Sequence, residues 1–157
     1  MRKRAYFDSH WGDGWPDAKW LERYFIGPSS SRWRFETRSD DGSLAVQGVD
    51  GTEGLKRSQG RIDIDLMIFG KSEYGVLLYY RKSGGGMNDG YFSHGDTAQL
   101  RKWVRTLHGT PLSLGLFIPF DLAWKGVKEF IATDGKLPTS IAWISQRDLP
   151  PDVFPDP

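Results

Sequence analysis

The chain has 157 residues, no cysteine, and 21 Lys+Arg against 20 Asp+Glu, for a net charge of +1. That balance argues against a dedicated nucleic-acid binder, which carries a strong basic excess, and the missing cysteines exclude disulfides, thiolate metal sites and a cysteine nucleophile. No run approaches the ~20 apolar residues of a membrane span. The basic start Met-Arg-Lys-Arg leads into Ala-Tyr-Phe-Asp-Ser-His and not into an apolar signal core, so the expectation is a soluble cytoplasmic protein with no membrane partner.

In chain order, a first helix is predicted from Pro16 or Asp17, because Ala18, Leu21 and Phe25 with Trp20 and Tyr24 make a one-sided stripe that ends before Gly27-Pro28. Ser29-Ser30-Ser31 reads as a loop. Arg32–Arg38 and Leu44–Val49 flank Ser39-Asp40-Asp41-Gly42, a hairpin-type turn. Residues 51–60 are polar and glycine-rich and read as a mobile loop. Ile62, Ile64, Leu66 and Ile68 alternate with Asp63, Asp65 and Met67, which predicts a half-buried strand. Lys71-Ser72-Glu73 turns it into an antiparallel partner, Val76–Arg81. Ser83–Gly90 reads as a flexible glycine connection to a short strand at Tyr91-Phe92. Leu100, Trp103, Val104 and Leu107 share a face, predicting a helix over 97–108 capped by Asp96 or Thr97 and stopped by Gly109. The tail from Asp148 carries four prolines and reads as extended.

The most informative stretch is 114–144. Leu114–Ile118 is a short apolar strand that stops at Pro119. Phe120, Ala123, Trp124, Val127, Phe130 and Ile131 then recur at helical spacing, with Lys125, Lys128 and Glu129 on the other side. Asp121 suits the positive end of the helix dipole, Gly135 ends the helix, and Pro138 keeps it from resuming. A strand over 140–144 with Trp143 follows. The run Ile118-Pro119, Val127-Lys128-Glu129-Phe130-Ile131, Gly135-Lys136-Leu137-Pro138 and Ile141-Ala142-Trp143 resembles the Imm1 family of bacterial polymorphic-toxin immunity proteins. The strand over 75–82 and the glycines after it are similar to that family too, so the likeness covers roughly residues 62–145. The resemblance implies an α+β cytoplasmic protein that binds and neutralises one toxin domain, often of the deaminase class, encoded beside it.

Few side chains point to chemistry of the chain's own. Ser83–Gly90 lacks the Lys-Ser/Thr opening a helix that a phosphate loop needs, and Asn-Asp-Gly is turn chemistry. His94-Gly95-Asp96 has only His10 and His108 as further imidazoles, at no ligand spacing, and the zinc-deaminase signature is absent. Asp63 and Asp65 project from one strand face, where a solvated surface or a partner-facing acidic patch is expected, not an acid–base pair. Trp11, Trp15, Trp20 and Trp33 with Arg32 and Arg34 offer stacking or interface anchors, without the net charge of a nucleic-acid binder.

The expected architecture is therefore a single α+β domain over residues 1–157, with a mostly antiparallel sheet of five to seven strands and about three helices. The expected function is a non-catalytic immunity protein that covers the active site of a toxin domain, with no cofactor and no metal. Expected toxin-binding residues are Asp63, Asp65, Met87, Asn88, Asp89, Tyr91 and His94. The alternatives are a binding or regulatory module, which an aromatic groove would favour, and a small hydrolytic enzyme, which a deep polar cleft would favour.

Overall fold

The alternation over 62–68 does produce a strand, and that strand lies in the middle of the molecule. The computed structural model describes residues 1–27, 33 and 40–155. In chain order the strands are β1 (Arg2–Phe7), β2 (His10–Asp13), β3 (Asp41–Val49), β4 (Ile62–Lys71), β5 (Gly75–Gly84), β6 (Met87–Ser93), β7 (Trp103–Arg105), β8 (Pro111–Ser113), β9 (Phe117–Ile118) and β10 (Trp143–Ser145). Seven of them form one antiparallel sheet in the order β10-β6-β5-β4-β3-β1-β2, with β9 added as an eighth at the end of β5. β7 and β8 make a separate hairpin. The helices are α1 (Ala18–Glu22) and α2 (Phe120–Ala132).

The α+β class with an antiparallel sheet is what the chain adopts, though with eight strands in the sheet instead of five to seven, and two α-helices instead of three among the described residues. α1 starts as read: the Asp17 side chain accepts the Lys19 N–H at 2.8 Å. The expected strand at 32–38 and the loop at 29–31 lie outside the described residues, apart from Trp33. β1 and β2 were not anticipated, because only Ala5 and Phe7 of β1 are buried and the rest of the strand reads as a basic, polar start.

The helix predicted over 97–108 does not form. Asp96 caps it, accepting the Ala98 N–H at 3.0 Å, but only a 3-10 turn over Thr97–Gln99 follows. The Ser113 hydroxyl donates to the Leu100 carbonyl at 2.7 Å and the Leu114 N–H to the Lys102 carbonyl at 2.8 Å. Those carbonyls are the acceptors a continuing helix needs, so the chain extends into β7 instead. The expected strand over 114–118 is likewise a 3-10 turn (Leu114–Leu116) followed by two strand residues. Nor is the proline-rich tail extended. It makes 3-10 turns at Gln146–Asp148 and Pro151–Val153, buries Leu149 and Val153, and is tied by Arg101 to Asp152 at 2.6 Å. The 51–60 loop is also ordered: Thr52 Oγ1 donates to the Val49 carbonyl at 2.6 Å and accepts the Ile62 N–H at 3.0 Å.

The sheet has two unequal coverings. On one face, Leu44, Val46, Leu66, Ile68 and Leu78 meet α2 through Phe120, Ala123, Trp124, Val127 and Phe130, as the helical spacing requires. Trp33 joins this core by lying flat on Gly70, where a Cβ would fall 0.4 Å from the indole nitrogen. α2 ends at Ala132, where Asp134 takes the left-handed conformation (φ +55°) expected of Gly135, and Gly135, also at positive φ (+98°), donates its N–H to the Phe130 carbonyl at 2.9 Å. On the other face a smaller cluster built on Phe69, Leu77, Phe92, Leu116 and Phe117 lies under the 3-10 turns and the tail. No helix among the described residues is long and apolar enough to cross a membrane.

Phe130 is fully buried at the centre of the helix-to-sheet contact, whereas Lys128 is exposed. Phe130→Ala is expected to cost about 3–5 kcal/mol in urea unfolding, and Lys128→Ala no more than about 0.5 kcal/mol.

Candidate functional site

The second face of the sheet is covered only at one end, and its residues fall into transverse rows set by strand register. One row is Trp11, Tyr6, Ser43, Met67, Tyr79 and Phe92. It grades from open to covered: Trp11 is 72% exposed, Met67 38%, and Phe92 7%. At the covered end Phe154 packs on Phe92 at 5.2 Å and Gln146 accepts the Tyr79 hydroxyl at 2.8 Å. At the open end Tyr6 and Trp11 stack with ring planes 9° apart. The next row is Asp13, Arg4, Ala45, Asp65, Arg81 and Gly90. Because β3 contributes only Ser43 and Ala45 here, a trough runs along it between the taller side chains of β1 and β4. Its aromatic end is a hollow of about 410 Å³ walled by Tyr6, Trp11 and Met67.

Asp63 and Asp65 share this face, but their surroundings differ. Asp63 is buried and fully engaged: it accepts from Arg61 at 2.9 and 3.0 Å, from Arg57 at 3.3 Å and from the Gly48 N–H at 3.1 Å. It fastens the β3 bulge and the 57–61 turn to β4, and the expectation that it faces a partner is corrected. Asp65 is half-buried and has no hydrogen bond or ion pair among the described residues. Burial, with the Asp63 charge beside it, pushes its carboxyl above the ordinary range, and Arg81 only partly offsets this.

The other expected contact residues are not gathered with it. The glycine segment is a tight hairpin, not a flexible loop: Gly84 pairs with Met87 around Gly85 and Gly86, both at positive φ, and 87–93 is all strand. A Cβ at Gly85 or Gly86 would be backbone-strained there, so the run reads as loop in sequence while serving as a two-residue turn. Alternation along β6 then sends Asn88 to the open face, where it accepts from Arg81 Nε at 3.0 Å, and turns Met87, Asp89 and Tyr91 to the helix side. His94 is exposed beyond the far end of β6, about 23 Å along the strand from Met87. Trp11 is one of the aromatic anchors expected from the sequence. Tyr6 is the contact candidate that the sequence did not single out, because β1 reads as a basic, polar start with no clear periodicity.

A cleft of about 780 Å³ opens on the helix side past the end of α2, lined by Tyr80, Tyr91, Asp50, Lys82, Asp89 and Lys136 among others. Its polar groups largely satisfy one another. Lys82 pairs with Asp50 at 2.7 Å, Lys3 with Asp134 at 2.6 Å, and the Tyr80 hydroxyl donates to the Gly135 carbonyl at 2.9 Å. Burial pushes the Tyr80 phenol up to about 12, so it stays protonated. No side chain in this cleft stands as a nucleophile against a base. No group of three His, Asp or Glu residues stands close enough to hold a metal among the described residues. Although the cleft is larger than the trough, Lys82 and Asp50 pair within it and its Asp89 and Asp134 are held by Arg147 and Lys3, while Asp65 in the trough has no ion pair among the described residues.

Compared with known proteins, the chain matches no family model, and no curated protein or solved structure resembles it at a significant level. The residues on which the expectation of an immunity protein rests hold α2 on the sheet. The Glu129 carboxylate accepts the Thr139 and Ser140 N–H groups, Trp143 Nε1 donates to the Pro138 carbonyl at 2.8 Å, and Ile141 packs on Gly126.

The contrast between the two aspartates gives a stability test. Asp63→Asn loses charge-assisted bonds to two arginines and is expected to destabilise by about 1.5–3 kcal/mol. Asp65 has the opposite sign. Its folded pKa is raised, so the ionised group opposes folding at neutral pH, and that penalty fades as pH falls through the raised folded pKa and is gone below the ordinary 3.8. Asp65→Asn is expected to raise Tm at pH 7, with the gain shrinking toward zero in acid.

Proposed function

We propose that this chain is a non-catalytic binding protein whose open sheet face docks a partner protein, and that the partner is a toxin domain it neutralises. The observation that carries the docking reading is the stacked Tyr6–Trp11 pair beside Met67, at the open end of a sheet face that is covered only at its other end. Large aromatics ringed by arginines and aspartates match the make-up of interface hot spots, where rings supply contact area and charged groups set register. Arg2, Arg4 and Arg81 border the aromatic end, paired with or facing Asp13 and Asp65. A rigid sheet also suits inhibition by occlusion, since a preformed surface loses little conformational entropy on binding.

The narrower part, neutralisation of a toxin, is supported by the sequence pattern over 118–143. An aromatic groove is what a binding module requires, and an immunity protein is one such module. The ion pairs that hold Asp50, Asp89 and Asp134 in the helix-side cleft count against the hydrolase alternative, because an acid–base pair needs carboxylates left available to substrate.

Co-expression with the product of each flanking gene tests both parts. The expected result is protection from one of them by a stoichiometric complex. Trp11→Ala should weaken that complex about thirty-fold or more, while Leu107→Ala, exposed elsewhere on the molecule, leaves it unchanged. Full protection by a folded Trp11→Ala variant would rule out the docking face. Absence of any complex with either product would rule out the toxin.

A further inference from the structure

We infer that the partner segment seated along β3 is extended and follows a basic-x-apolar pattern, placing a Lys or Arg side chain on Asp65 and an apolar side chain in the hollow beside Met67. This deepens the docking reading and rests on it. Beside Asp65 on this face, Asp63 holds Arg57 and Arg61, and Asp13 holds Arg2 at 2.9 Å. Asp65 has no such partner among the described residues, although it sits at the centre of the face.

Neither arginine in its row bonds to it. Arg81 Nε is bound to Asn88 Oδ1 at 3.0 Å, and Arg4 Nε lies 4.0 Å from Asp13 and is buried without a hydrogen bond. Access to Asp65 is therefore from above Ala45, where the short side chain leaves room for an incoming group. A cation arriving there meets a half-buried carboxylate that the fold has already desolvated, so the pair forms in a lower dielectric than a surface ion pair does.

Spacing sets the pattern. Asp65 and Met67 are alternate residues of one strand, about 6.7 Å apart, which is also the repeat of side chains on one side of an extended peptide. A basic residue over Asp65 thus places the residue two positions away over Met67 and the Tyr6–Trp11 wall. A phosphate backbone fits less well. Three of the five guanidinium groups on this face are taken, Arg57 and Arg61 by Asp63 and Arg2 by Asp13, and Asp65, which stands between the other two, Arg4 and Arg81, would repel it.

The test is a peptide array in which Lys, Arg, Gln or Glu stands two positions from Leu, Phe or Trp, probed with the full chain and with folded Asp65→Asn and Trp11→Ala variants. A labelled fifteen-base single-stranded DNA is titrated alongside by fluorescence anisotropy. The expected outcome is that basic-x-apolar peptides bind about ten-fold or more better than their Glu counterparts. Asp65→Asn should remove that preference and Trp11→Ala should weaken all binding. The inference is overturned if Glu peptides bind equally, if the preference survives Asp65→Asn, if no peptide binds above the Trp11→Ala background, or if the oligonucleotide binds instead. Protection in co-expression without a basic preference on the array would sink this inference and leave the docking reading standing. A basic preference without protection would sink only the toxin.

Discussion

Phe130 is wedged between the rings of Trp15 and Tyr80, at 5.1 and 6.1 Å, and the rest of the structure depends on that seat. It fixes α2 across β3 to β5 on one face of the sheet. Trp15 is in turn anchored, its indole N–H donating to the Ala45 and Arg4 carbonyls. With the long helix committed to one face, the chain has only short turns and a tail to cover the other. Those reach from β10 to β5, where Phe154 and Gln146 stop. The half of the sheet formed by β1, β2 and β3 is left open on that side among the described residues. The candidate surface thus follows from the one-sided placement of a helix.

Two aspartates separated by one residue show how local context divides structural from available groups. The bulge at Gly48 turns a backbone N–H toward Asp63, and the 57–61 turn brings two guanidinium groups to it. One residue pair further along the strand, the neighbours are Ala45 and an arginine held by Asn88. Desolvation without a partner is a cost to the fold, and such costs concentrate at surfaces that meet ligands. Asp65 stands out on those grounds, and Asp63 does not.

Much of the fold was legible in the sequence because the relevant signals are periodic. The helix at 120–132 and the paired strands at 62–71 and 75–84 carry complete apolar repeats, and Asp17 and Asp96 act as the caps their residue types suggest. The failures share a cause. The 97–108 segment has a helical stripe, but Ser113 and Leu114, brought in by tertiary structure, take or replace its hydrogen-bond acceptors. Ser83–Gly90 has the composition of a loop, yet two glycines suffice for the turn and Asn88, Asp89 and Gly90 serve in the strand. A Cβ at Gly90 would press on the Tyr79 hydroxyl at 2.9 Å, so the glycine leaves room for that side chain. Of the candidate site, Asp65 and Asn88 were legible, and Trp11 was legible as an aromatic anchor. The sequence could not show that strand alternation sends Met87, Asp89 and Tyr91 to the opposite face, nor that Tyr6 and Trp11 would meet across a hairpin too short to carry a pattern.

The central claim is that the open face, and not the helix-side cleft, meets the partner. Hydroxyl-radical footprinting of the chain, free and in its purified complex, tests it most directly, because Trp11, Tyr6 and Met67 report one face while Met87 and Tyr91 report the other. The account predicts that Trp11, Tyr6 and Met67 lose most of their reactivity on complex formation and that Met87 and Tyr91 keep theirs. Protection of Tyr91 and Met87 with Trp11 still reactive would contradict it and move the binding site to the cleft past α2.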